Sequence, residues 1–168
     1  MDQSLKRLQD QLVALLPRLR RFARSLTRDM HDADDLVQVA IERALTRLQQ
    51  WQAGSRLDSW MFAIIHNAWI DEVRTRRRHE RIIAPEEAGA QVADEASAAP
   101  IERLSLQSAF ERLPDEQRVA VTLVLVEGLA YKEAAALLNV PIGTITSRIA
   151  RGREALAAML GGREGAQP

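Results

Sequence analysis

Three stretches of this 168-residue chain combine residue types and spacings suited to recognition chemistry. In residues 129–151 a short alanine- and leucine-rich run meets Asn139-Val140-Pro141 and then a segment holding Gly143, Thr144, Thr146, Ser147, Arg148 and Arg151. At about 100° per residue, Ile145, Ile149, Gly152, Leu156 and Met159 fall on one face of that second segment. Gly143, Ser147, Ala150 and Arg151 fall opposite, Thr144 and Thr146 lie at the edges, and Arg148 and Arg153 flank on either side. Two helices joined by a tight turn, the second offering small and hydroxyl groups to base edges and guanidinium groups to phosphate, make a helix-turn-helix that reads a major groove. The plain alternative is an ordinary helical hairpin.

Residues 54–81 form the second stretch. Leu57, Trp60, Met61, Ile64 and Ala68 make one apolar stripe, and Phe62, Ile65, Trp69 and Val73 make another, so the helix they imply is sandwiched in a core. Asn67 interrupts it with an amide, donor and acceptor together, suited to a base edge unless it simply faces solvent. Arg74, Arg76, Arg77, Arg78 and Arg81 crowd the end, which suits phosphate and equally suits a helix C-terminal dipole. Rings beside arginines also fit single-stranded nucleic acid, although core packing is the stronger reading of the tryptophans. In the third stretch Asp32, Asp34 and Asp35 sit where a helix N-terminus favours negative charge. There Leu36, Val37, Ala40, Ile41, Ala44 and Leu48 share the inward face and Asp35, Gln38, Val39 and Glu42 the outward one. A valine among polar neighbours points to a partner surface, the alternative being a lone exposed apolar residue. The letters D-x-D-D also occur in cyclases that protonate a terpene, but an aromatic content of 4% cannot line a carbocation cavity.

The elements that must position these residues are helices. Apolar residues recur at three- and four-residue spacing and strand signals are nearly absent, which predicts an all-α chain of two small helical domains. Helices are expected at 3–15, 17–27 with Pro17 in the first turn, 32–49, 57–79, 101–112, 115–127, 131–138 and 142–160. Equal numbers of basic and acidic side chains, 23 each, hide an uneven distribution: residues 1–81 carry +4, 82–102 carry −5 and 103–168 carry +1. The middle block is rich in Ala, Glu, Asp, Gly and Pro, so the boundaries read as 1–81, a flexible acidic linker at 82–100, and 101–162. The absence of cysteine excludes a disulfide scaffold and a zinc finger, and three scattered histidines argue against a metal site. The longest strongly apolar run, residues 119–126, is far short of the roughly 20 residues that cross a bilayer, and no secretion signal is visible. A cytoplasmic protein without membrane insertion is expected.

In order, D-A-D-D-L-V-Q (32–38), S-W-M-F-A-I-I-H-N (59–67), L-P-D-E-Q-R (113–118), E-G-L-A-Y-K-E-A-A (127–135) and P-I-G-T-I-T-S-R-I-A-R-G-R-E-A-L (141–156) resemble the two-domain extracytoplasmic-function (ECF) sigma factors of bacteria. The resemblance spans nearly the whole chain outside the linker and the last few residues. It implies an RNA polymerase sigma factor that brings polymerase core to promoter DNA and assists melting, with no catalytic residues or cofactor of its own. On the matching positions, Asp35, Gln38 and Glu42, with Val39 among them, would dock on the clamp helices of polymerase. Asn67, with Arg74, Arg76, Arg77 and Arg78 nearby, would meet the minus-ten element, and Thr144, Thr146, Ser147, Arg148 and Arg151 the minus-thirty-five element. Control by an anti-sigma factor is implied as well. Ala130 stands where relatives often cap with serine, so the first helix of the helix-turn-helix is expected to lack about 1 kcal/mol of capping. Thr146 and Ala150 depart from bulkier or basic side chains in some relatives, so those relatives' base preferences do not carry over. Two rivals remain: a dimeric helix-turn-helix regulator, and a sigma-like module that works by capturing an anti-sigma factor.

Overall fold

The computed structural model describes residues 3–83 and 105–161, which hold seven α-helices and no strand. The first half contains α1 (Gln3–Thr27), α2 (Met30–Thr46), a 3-10 turn (Leu48–Gln50) and α3 (Leu57–Ile83). The second contains α4 (Leu106–Glu111), α5 (Asp115–Val121), a π-helical turn (Thr122–Val126), α6 (Tyr131–Leu138) and α7 (Ile142–Gly161). The stretch read as a linker lies outside the described residues except for Ile82 and Ile83, which continue α3.

One boundary differs in an instructive way. Pro17 does not start a helix; α1 runs through it without a break. The proline forfeits the bond to the Val13 carbonyl, and both residues face solvent, where water can take that oxygen. The chain reverses instead at Arg28, which adopts a left-handed φ of 62°. Asp29 then caps α2, its carboxylate accepting from the backbone N–H groups of Asp32 at 2.9 Å and His31 at 2.8 Å. These two bonds hold the carboxyl below the usual carboxylate range, the Asp32 bond contributing most.

Inward-facing residues foreseen from periodicity are the ones that pack. Leu36, Val37, Ala40 and Ala44 of α2 and Leu57, Met61, Ile64, Phe62, Ile65 and Ala68 of α3 are buried, with Trp60 and Trp69 half-buried against them. Phe22 of α1 meets Phe62 edge to face at 5.1 Å between centroids. In the second half Ile145 and Ile149 of α7 pack onto α5 and α6. The buried residues of the two halves make one continuous cluster.

Residues 115–127 do not form a single regular helix. The Thr122 hydroxyl donates to the Arg118 carbonyl at 2.8 Å, and the Glu127 N–H returns to the Thr122 carbonyl at 2.9 Å, so the last turn widens to a π geometry. Gly128, at φ 76°, follows at once and turns the chain toward α6.

Candidate nucleic-acid interface

The helix-turn-helix is built by its turn. α6 ends on Asn139 in the left-handed region at φ 54°, and the next N–H, of Val140, donates to the Ala135 carbonyl at 3.1 Å. Pro141 then ends the turn, and its carbonyl accepts from the Thr144 N–H at 3.0 Å, starting α7. At the other end of α6, Ala130 has no side-chain oxygen. Glu133 supplies the reciprocal arm, its carboxylate accepting from the Ala130 N–H at 3.2 Å.

Pinned this way, α7 turns Ile145, Ile149 and Gly152 inward and leaves Gly143, Thr146, Ser147, Ala150 and Arg151 exposed, with Thr144 half-buried. Arg151 makes no ion pair or hydrogen bond among the described residues, so its five donors face outward. Arg148 differs: its side chain is 19% exposed and pairs with Glu116 of α5 at 3.3 Å. The Thr146 hydroxyl donates to the Ile142 carbonyl at 3.1 Å, which leaves its methyl group and oxygen lone pairs for an approaching base.

On α3, Asn67 is exposed. Helical spacing places Arg74 and Arg78, seven and eleven residues on, within about 20° of it, so the amide and two guanidinium groups line one side. Arg74, Arg77 and Arg78 are exposed without an ion pair among the described residues. Arg76 lies on the far side, bonded to Glu72 at 2.6 Å and 3.8 Å from Asp32 of α2. Its charge is therefore shared with two acids.

The outward side of α2 is vacant. Asp35, Gln38 and Glu42 are exposed and make no hydrogen bond or ion pair among the described residues, and Val39 between them is 40% exposed. Two other acids of the first half are engaged, Asp34 with Arg20 at 3.2 Å and Asp71 with Arg43 at 2.7 Å. The free polar side chains of α2 thus gather on the side away from its core stripe.

Two buried charges escaped sequence reading, as did the closeness of the contact at Gly152, which periodicity had placed inward. Arg118 is only 2% exposed, its guanidinium donating to the carbonyls of Ser25 and Leu113 and to Asp115. The Glu127 side chain is fully buried between Arg18 and Arg21. Gly152 lies so close to α5 that a Cβ there would meet Val121 Cγ2 at 2.8 Å. The visible signals were slight: an acid followed by glycine after an apolar run, and a glycine on an inward helical face.

Comparison with known proteins gives this geometry its context. Residues 12–66 match the family model of the Sigma2 domain of PhyR, and residues 103–156 match that of Sigma-70, region 4. The chain is 37% identical over 153 residues to the ECF RNA polymerase sigma factor EcfG of Rhodopseudomonas palustris, covering 91% of this chain and 84% of that protein. Its structure resembles that of the sigma factor RpoE of Bartonella quintana in complex with the anti-sigma factor NepR, with TM-score 0.75 and 30% identity, covering 94% of this chain and 99% of that one. A chain of the PhyRSL–NepR complex from Sphingomonas sp. Fr1 shares the fold, with TM-score 0.65 at 19% identity, covering 96% of this chain and 94% of that one. Among the described residues no helix is long and apolar enough to cross a membrane.

Proposed function

The chain belongs to the ECF sigma factors of the sigma-70 family, and from that premise we propose how its exposed faces divide the work of a sigma subunit. The outward side of α2, with Asp35, Gln38, Val39 and Glu42, docks on the clamp helices of RNA polymerase core. Asn67 takes an extruded minus-ten base, while Arg74, Arg77 and Arg78 hold the neighbouring phosphates and Arg76 joins them once it leaves its acids. Thr144, Thr146, Ser147 and Arg151 face the minus-thirty-five major groove, and Arg148 meets its phosphate wall in exchange for Glu116. In this reading residues 1–81 and 101–162 act as separate domains about the 82–100 linker, and catalysis belongs to the polymerase. Control by an anti-sigma factor is supported by the likeness to RpoE in its complex with NepR.

One observation carries the reading: α7 leaves a strip of small and hydroxyl side chains ending in an unpaired Arg151 toward solvent, while α2 leaves an unpaired polar side elsewhere on the same chain. A plain hairpin needs neither. The deciding experiment is run-off transcription from a promoter library with purified polymerase core, with and without this chain. Promoter-specific transcripts that need the chain support the proposal, and their absence overturns it.

A second reading, a sigma-like module that captures an anti-sigma factor, is favoured by the match of residues 12–66 to the Sigma2 domain of PhyR. Such a module would bind an anti-sigma protein and leave core polymerase without promoter selectivity in the same assay.

A further inference from the structure

The outward face of α7 is divided lengthwise into two chemically unlike sides. At about 100° per residue, Ile142, Thr146 and Ala150 form one ridge, each about 40° round from the last. Ser147 and Arg151 follow about 60° and 100° beyond Ala150, with the exposed Gly143 between the two sides. The second side holds a hydroxyl and an unpaired guanidinium. On the first, Ile142 is 53% exposed and Ala150 is exposed, and neither has a polar side-chain atom. Thr146 joins them through what its hydroxyl does. It donates to the Ile142 carbonyl at 3.1 Å, so its one proton is spent within the helix and it has none to give a base. None of the three residues carries an amide, a guanidinium or a carboxylate.

Bases in a major groove demand matched groups. Guanine offers two acceptors and adenine an acceptor beside a donor, and both take two-pronged partners such as Arg, Asn or Gln. Cytosine offers an amino group that takes an acceptor, and thymine alone presents a methyl group, which takes apolar contact. The ridge has no two-pronged partner, and Ala150 has no acceptor. Its complement is the thymine 5-methyl group. Spacing agrees, because residues four apart lie about 6 Å apart along the helix axis, within two base-pair steps of about 3.4 Å. Arg151, on the other side, carries the fork that suits guanine.

We propose that the methyl groups of Thr146 and Ala150 read thymine, and that the minus-thirty-five element of this chain carries thymine at one or two neighbouring positions beside the pair contacted by Arg151. The proposal rests on the sigma reading for the identity of the site and adds the class of base and a reading role for Ala150. Thr146 and Ala150 are the two positions where this chain departs from the bulkier or basic side chains of some relatives. Short side chains there let the helix come close enough for methyl groups to touch, so the departure is itself a specificity determinant. Covering one methyl group is worth about fourfold in affinity.

Deoxyuridine tests this directly, since it pairs with adenine as thymidine does and lacks only the 5-methyl group. The probe is a promoter fragment recovered from the run-off library, bound by holoenzyme assembled from polymerase core and the full chain. Each minus-thirty-five thymine, on either strand, is replaced singly by uracil. Uracil is expected to weaken binding about fourfold at one or two neighbouring positions and to be neutral at the others. Thr146→Ser keeps the hydroxyl and deletes one methyl group, so in this variant the uracil penalty should vanish at one of those positions. Ala150→Gly should remove it at the other. Uracil without effect at every thymine, an element with no thymine, or a penalty that persists unchanged in both variants overturns the proposal. Those results leave the sigma reading standing, because promoter-dependent binding is still seen. A holoenzyme that selects no promoter overturns that reading and this inference with it.

Discussion

Adding one methyl group at Gly152 should displace the recognition helix, and the structure sets the size of the effect. A Cβ there would lie 2.8 Å from Val121 Cγ2, against a comfortable carbon–carbon separation of about 3.5–4.0 Å. Val121 is buried and β-branched, with essentially one χ1 rotamer available in a helix, so its methyl cannot swing away and α7 must move relative to α5. Overpacking of this kind costs about 1–3 kcal/mol, while alanine in place of glycine in a helix returns up to about 1 kcal/mol. The net expectation for Gly152→Ala is a loss of about 0–2 kcal/mol. Gly143→Ala is the internal control, because it adds the same methyl to the same helix with nothing within 4 Å. The two variants should therefore differ by about 1–3 kcal/mol, which for a chain of this size is roughly 2–12 °C in Tm. Thermal unfolding followed by circular dichroism reads both. Val121→Ala combined with Gly152→Ala should be less damaging than the sum of the singles, since it removes the clashing methyl. Equal Tm values for the two glycine variants, or strict additivity in the double, would refute the reasoning.

Gln38→Arg with Glu42→Arg should weaken binding to polymerase core at unchanged helical content, and a titration showing unaltered affinity would reassign the outward side of α2. Asn67→Ala should cost roughly 1–3 kcal/mol at one minus-ten position only, read by binding over single-base promoter variants; uniform weakening would give Asn67 a structural or phosphate role. Arg151→Ala should relax specificity at one minus-thirty-five base pair. Arg148→Ala should weaken all sequences alike and lower the salt slope by about one, and reversed signatures would exchange the two roles. Burial lowers the pKa of His66 below 6.5, so between its folded value and 6.5 the unfolded chain binds more protons and stability falls as pH drops through that window. His66→Gln should flatten the decline in Tm between pH 7.5 and 5.5, and an identical slope in both proteins would count against the assignment.

Helix identity was legible in the sequence because the inward stripes of α2, α3 and α7 are long and regular; their central residues are buried, while Ile41, Leu48, Trp60, Trp69, Val73, Leu156 and Met159 are half-buried. The helix-turn-helix was legible for a second reason: Asn139 and Pro141 punctuate it with residues that favour a left-handed cap and a helix stop. Proline misled at position 17, where exposure lets a helix lose one bond to water without breaking. The π turn at 122–126 was illegible because the Glu127 N–H reaching back five residues to the Thr122 carbonyl is a local backbone shift that leaves no mark on hydrophobic period. Buried charges were missed for a related reason. Nothing in the sequence pattern marks Arg118 and Glu127 for burial, and the packing of α1 onto the second half gives them partners that make burial tolerable. The three outward faces could be located from the angular spacing of Gln38, Asn67 and Arg151, whereas the engagement of Arg76 and Arg148 by nearby acids depends on neighbouring helices.

Charge unites the fold with the function. The net charge is zero, although DNA binding draws on cations. Arg18, Arg21, Arg24, Arg28 and Arg56 are matched by acids of the second half, and Arg76 and Arg148 by acids of their own half. Among the described residues Arg74, Arg77 and Arg78 at the end of α3, on the helix that carries Asn67, and Arg151 on the outward side of α7 are exposed without such a partner. On the proposed assignment each DNA site has few phosphate contacts, so neither alone is expected to give tight binding, and affinity for a promoter would depend on using both at once through the polymerase. On that reading internal neutralisation serves selectivity: it withholds charge from any single DNA contact while leaving Asn67 and Arg151 free to read bases.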